Sequence, residues 1–163
     1  MIRISKITIE NLQHKVPVSK KRIKNIVLTV LKYLKADKKA QFNIYFVSDR
    51  KIAQLNRKYL GENRSTDVIS FDISADLPRS RGRGRRRKGI LADIFISADT
   101  AVTNARIFKT SVDYEFCLYV VHGILHLFGF DDATPRQSAV IRKKEKQILS
   151  HLSRNTHNVI RNT

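Results

Sequence analysis

In the stretch VHGILHLFGFDD, residues 121–132, His122 and His126 stand four positions apart, and Gly129 and Asp132 follow among apolar neighbours. On a helix, residues so spaced share a face, so two imidazoles can hold one metal ion from two corners. Gly129 lets the chain leave the helix in a left-handed conformation at little cost. The turn can then bring the Asp132 carboxylate back under the histidines as a third ligand. Three protein ligands leave the fourth position of a zinc ion open to water, whose proton affinity falls enough to supply hydroxide near neutral pH. The plainer alternative is two ordinary histidines in a hydrophobic helix. Both would then need polar partners in a dry core, and an aspartate at the turned-back position weighs against coincidence.

The spacing is similar to the metzincin pattern, in which a glutamate after the first histidine serves as general base. That position here is Gly123, which cannot accept a proton, so peptide hydrolysis is disfavoured. The substrate class follows from charge. Lys and Arg number 32 against 14 Asp and Glu, a net charge of +18 that attracts polyanions. Of the ten residues from Arg79 to Lys88, seven are Arg or Lys, with Arg83, Arg85, Arg86 and Arg87 among them. Such a run tracks phosphates through charge and guanidinium contacts without reading sequence. It contains no apolar anchor and no phosphate-binding glycine motif, so a mobile loop is expected. A metal-activated water beside a positive surface is what phosphodiester hydrolysis requires.

The elements that must position these residues can be read along the chain. Ile2, Ile4, Ile7 and Ile9 mark a strand with a slip between Ile4 and Ile7. Ser19 caps a helix with an apolar stripe of Ile23, Ile26, Val27, Val30, Leu31 and Leu34. QFNIYFVS alternates as a strand, a helix from about Asp49 to Leu60 ends at Gly61, and TDVISF and ILADIFIS are two further strands able to form a long hairpin. A helical segment over 98–109 precedes a run capped by Asp113 and ending at Leu127, apolar on nearly every face and therefore a buried central helix. Thr134, Pro135 and Gln137 open a last helix packed through Val140, Ile141, Ile148, Leu149 and Leu152. The expected fold is a single α+β domain over residues 1–154, with a mixed sheet of about four strands, and a frayed tail over 155–163.

Cys117 is the one cysteine, so a disulfide framework is excluded; in the run YEFCLYVV it reads as a small buried hydrophobe. The N-terminus does not read as a secretory signal, and no apolar stretch is long enough to cross a bilayer. A soluble cytoplasmic protein with no membrane partner is the expectation.

Four segments together resemble the YbeY family of rRNA maturation factors: LNRKYLGENRSTDVISF at 55–71, ADIFIS at 92–97, HGILHLFGFDD at 122–132, and a terminal helix containing Glu145. The resemblance implies a metal-dependent, single-strand-specific endoribonuclease. It would carry one zinc ion on His122 and His126, act in rRNA maturation, notably at the 3′ end of 16S rRNA, and serve ribosome quality control. Its partners would be rRNA, other single-stranded RNA, and the small ribosomal subunit or its assembly factors. Most members carry a histidine where this chain has Asp132, which keeps a competent ligand but adds negative charge. The family also has an arginine after the tyrosine of its LN..YR element, where this chain has Leu60; Arg57, Arg64 and the basic loop are the candidates to replace it. Thr66 and Asp67 lie on the strand that the family places at the cleft. They either shape the site and orient substrate or simply cap a turn. Two rivals stand beside this reading: an RNA-binding ribosome assembly factor whose zinc is structural or weakly catalytic, and a zinc hydrolase acting on another substrate such as a peptide.

Overall fold

Alternation on two inner strands builds the core. In β2 (Lys39–Val47), Ala40, Phe42, Ile44 and Phe46 are buried on one face, and in β4 (Gly89–Ser97) Ala92, Ile94 and Ile96 do the same. The computed structural model describes residues 4–36, 39–74 and 89–160. Within them β1 (Ile4–Asn11), β2 and β4 run parallel, while β3 (Val68–Asp72) pairs antiparallel with β4, giving the strand order β1-β2-β4-β3. The mixed sheet and the order of elements agree with the sequence reading, as does the shift of register between Ile4 and Lys6. The basic run, with Arg83, Arg85, Arg86 and Arg87, lies outside the described residues.

Helix α1 (Lys20–Tyr33) begins at Ser19, whose hydroxyl accepts from the Arg22 N–H, and buries Ile23, Ile26, Val27, Val30 and Leu31. Each such side chain contributes roughly 1.5–3 kcal/mol of burial. Helix α2 (Asp49–Leu60) starts from Ser48 and stops at Gly61 in the left-handed conformation. Helix α3 (Ala98–Phe108) follows β4 directly. None of the helices among the described residues is long and apolar enough to cross a membrane.

Helix α4 (Val112–Leu127) is the centre of the molecule, with Phe116, Cys117, Tyr119, Val120, Val121, Ile124 and Leu125 buried. Its cap is Ser111, which accepts from the Tyr114 N–H, rather than Asp113. Asp113 sits in the first turn and pairs instead with Arg22 on α1. Asn104 Nδ2 on α3 donates to the Tyr119 hydroxyl on α4 at 2.8 Å, and in the connection between the two helices the Thr110 hydroxyl donates to the buried Glu115. Burial pushes the Cys117 thiol up from its ordinary range, against the opposing pull of Arg22, as suits a packing residue.

Helix α5 (Pro135–Ile160) opens with the expected reciprocal cap: the Gln137 N–H donates to the Thr134 hydroxyl at 3.3 Å, and the Thr134 N–H to Gln137 Oε1 at 3.0 Å. Its backbone remains helical beyond Arg154, where the sequence reading begins the tail. Ile141, Ile148 and Leu149 are buried, but Val140 is 45% exposed, contrary to the sequence reading. The packed stripe runs through 141, 145, 148 and 149, and Val140 lies a helical step outside it. Asp93, a charged residue within the apolar run of β4, is on an inner strand and accepts a hydrogen bond from Asn43 at 2.8 Å.

Candidate metal centre

The last turns of α4 carry His122 and His126 on one face, and the chain reverses at once beyond them. Gly129 takes φ +89°, its N–H bonds the His126 carbonyl at 2.9 Å, and the Phe130 N–H bonds the Leu125 carbonyl at 3.1 Å. This reversal brings Asp132 back toward the histidines. One ligand atom from each of His122, His126 and Asp132 lies within 4.8 Å of the others. The two Nε2 atoms are 2.8 Å apart, and the Asp132 carboxylate oxygens stand 3.7 Å from His122 Nε2 and 3.9 Å from His126 Nε2. Those last separations are too long for hydrogen bonds. Two imidazole nitrogens and a carboxylate face one central point, an arrangement that suits a divalent cation and one that zinc accepts. The donor set therefore fits the ion that the sequence implies.

The opposite side of the His122 ring is also engaged. Its Nδ1 lies 2.6 Å from Oε1 of Glu145, which α5 buries to 8% exposure. No local pattern in the sequence joins Glu145 to His122, since 23 residues separate them. Burial disfavours the charged form of His122. Glu145, Asp67 and Asp132 together outweigh that effect, so the net result holds the imidazole above its ordinary pKa.

Gly123 explains how α4 can lie so close to the sheet. A Cβ at this position would stand 2.6 Å from Ser70 Oγ, 3.2 Å from Val68 Cγ2 and 3.3 Å from Ile94 Cγ2. The residue after the first histidine thus faces β3 and β4 rather than the ligands. A general base there would be aimed into these side chains and away from the ligands. Ser70 Oγ, pressed against this seat, is buried without a hydrogen-bond partner.

Among the other candidates, Asp67 is near enough to act on His122 by charge, and its Oδ1 accepts from the Thr66 hydroxyl at 3.0 Å and the Val68 N–H at 2.9 Å. Thr66 and Asp67 are thus tied together immediately before β3, with the Asp67 carboxylate raising the pKa of His122 by its charge. Arg57 is exposed in the last turn of α2, and Arg64 is exposed and paired with Glu62 at 2.6 Å. Tyr59 and Leu60, at the end of the same helix, are more than half exposed.

A family model described as Endoribonuclease YbeY matches residues 8–153. The chain belongs to the YbeY family. It is similar to the protein named Endoribonuclease YbeY of Alkaliphilus metalliredigens, 31% identical over 149 residues that cover 90% of this chain and 94% of the relative. The protein of the same name from Syntrophus aciditrophicus is 33% identical over 145 residues, covering 88% and 87%. A solution structure from Thermotoga maritima, 24% identical, superposes with a TM-score of 0.58 over 93% of this chain and 92% of its own, and so shares the fold. YbeY membership thus joins the α+β fold and the facing His and Asp groups to a family of RNA-cleaving hydrolases.

Proposed function

We propose that this YbeY-family chain is a zinc-dependent, single-strand-specific endoribonuclease that acts in rRNA maturation, including the 3′ end of 16S rRNA, and in ribosome quality control. The observation that supports it most is the convergence of His122, His126 and Asp132 on one point in a chain matched by an endoribonuclease family model. On this reading residues 1–154 form the catalytic domain and 155–163 a tail. The protein works in the cytoplasm, and its partners are rRNA and the small ribosomal subunit or its assembly factors.

The roles follow from the chemistry of each side chain. His122 and His126 offer imidazole nitrogens from a helix whose other faces are buried, so the backbone that carries them is held by packing. Asp132 supplies a compensating negative charge from the reversed turn. A zinc ion held by these three supplies Lewis-acid chemistry, lowering the proton affinity of water and polarising a phosphoryl oxygen. Thr66 and Asp67 shape the wall beside His122. The excess of cationic side chains draws the RNA backbone in, with Arg57, Arg64 and the arginines at 83 and 85–87 as phosphate contacts that offset charge growing on the phosphoryl oxygens.

The test is cleavage of a defined single-stranded RNA by zinc-loaded protein, beside an identically purified His126→Ala variant and a chelator control. Loss of cleavage in both controls is expected. End-group analysis then distinguishes attack by water from attack by the RNA 2′-hydroxyl, which leaves a cyclic phosphate. RNA that binds the wild type yet stays intact even in a preribosomal complex would replace this reading with that of an RNA-binding assembly factor.

A further inference from the structure

The two histidines of the centre are not equivalent. His122 is engaged on both sides of its ring, by Glu145 at Nδ1 and by His126 at Nε2. A carboxylate 2.6 Å from Nδ1 accepts a proton there, so the neutral ring is fixed as the Nδ1–H tautomer. The lone pair is then left on Nε2, the atom directed at the ligand cluster. With His122 Nε2 an acceptor, the 2.8 Å contact between the rings takes its proton from His126 Nε2. Glu145 is itself 8% exposed and comes from α5, in line with the buried Ile141, Ile148 and Leu149 that seat this helix in the core. Its position is therefore set by packing rather than by solvent.

We propose that Glu145 is a positioning residue of the metal centre: from α5 it locks the tautomer and orientation of His122, and so sets the affinity of the site for its ion. This rests on the reading of His122, His126 and Asp132 as ligands. Loss of such a supporting partner weakens metal affinity by about 10- to 100-fold. Helix α5 then serves as the arm that carries the support, as well as a packing element.

The proposal is tested on the full chain with two readouts. In metal-stripped protein, ¹⁵N imidazole NMR reports the His122 tautomer at a pH where the ring is neutral. Competitive titration with a chromophoric chelator gives zinc affinity. The wild type should show the Nδ1–H tautomer and bind zinc. Glu145→Ala should lose the fixed tautomer and about 10- to 100-fold in affinity. Glu145→Gln, which retains an acceptor oxygen, should keep the tautomer and fall between the two. Ile148→Val, a trimmed core contact on the same helix, should leave both readouts as in the wild type, which separates support of His122 from general loosening of α5. Wild-type zinc affinity in Glu145→Ala, or an Nε2–H tautomer in the unsubstituted protein, overturns the proposal. A wild type that binds no zinc sinks the ligand reading of the three residues, while a tautomer that still depends on Glu145 upholds the orienting role.

Discussion

Among the described residues, the cluster of Asp49 with Asp99 and the cluster of Asp132 with Glu145 both gather acids, and the second resembles a metal site. In the first, Asp49 and Asp99 meet at the starts of α2 and α3. Asp49 Oδ1 accepts from the hydroxyls of Ser97 and Thr100, Asp99 Oδ2 accepts from the Asp49 N–H at 2.9 Å, and Lys15 donates to Asp99 Oδ1. Each of these oxygens faces a proton. In the second, Asp132 faces two Nε2 atoms at 3.7 and 3.9 Å without a hydrogen bond to either, and the two rings share one contact. The number of acids does not distinguish the clusters. The balance of donors and acceptors does: the first is complete as a brace, while the second gathers lone pairs that only a proton or a cation can satisfy.

The largest stability effect should come from breaking the seat of the second cluster. Gly123→Ala places a methyl 2.6 Å from Ser70 Oγ and should cost about 1–3 kcal/mol in denaturant unfolding. Adding Ser70→Ala removes the contacted atom, and with it an unpartnered hydroxyl, so the double variant should recover part of the loss. A non-additive cycle of that sign is the expected result, and strict additivity would show that the two residues do not meet.

The comparison itself is tested by an exchange of symptoms. Asp49→Ala orphans two hydroxyls and should cost about 1.5 kcal/mol of stability while zinc affinity is unchanged. Asp132→Ala, at a side chain 46% exposed, should change stability by no more than about 0.5 kcal/mol while zinc affinity drops. Unfolding curves and zinc titrations on both variants decide it, and similar behaviour of the two would erase the distinction.

The smallest effect is the pH response of the first cluster. The hydrogen bond from Lys15, followed by that from the Asp49 N–H, holds the Asp99 carboxyl below its ordinary pKa. A carboxyl with a lowered folded pKa stabilises the protein above the unfolded value, and that contribution disappears as pH falls through the folded one. Asp99→Asn should therefore flatten the acid side of the stability profile below about pH 4. The exposed lysine keeps the change small, and an unaltered profile would remove Asp99 from the brace.

What the sequence disclosed was local. The i, i+4 histidines, the glycine stop and the returning aspartate all lie within one reversal of the chain, where helical periodicity and turn chemistry are sufficient. The stripe on α1, the strand alternation and the reciprocal cap of α5 were legible for the same reason. The partnership of Glu145 with His122 was not, because it arises only when α5 packs along α4. Ser111 displaced Asp113 as a cap because either side chain can begin a helix, and the pairing of Asp113 with Arg22 is a tertiary fact. Val140 is apolar but a step outside the packed stripe, a distinction too fine for composition to make.

The close approach at Gly123 also bears on what this scaffold could become. Histidine pairs of this spacing support peptide hydrolysis when a glutamate follows the first of them. Here a side chain at that position would be driven into Ser70, Val68 and Ile94. A single replacement at Gly123 would therefore aim its side chain into the sheet rather than at the ligands, and those three neighbours would have to give way before it fitted. The depth at which one helix is seated thus withholds the position that a peptidase's general base would need.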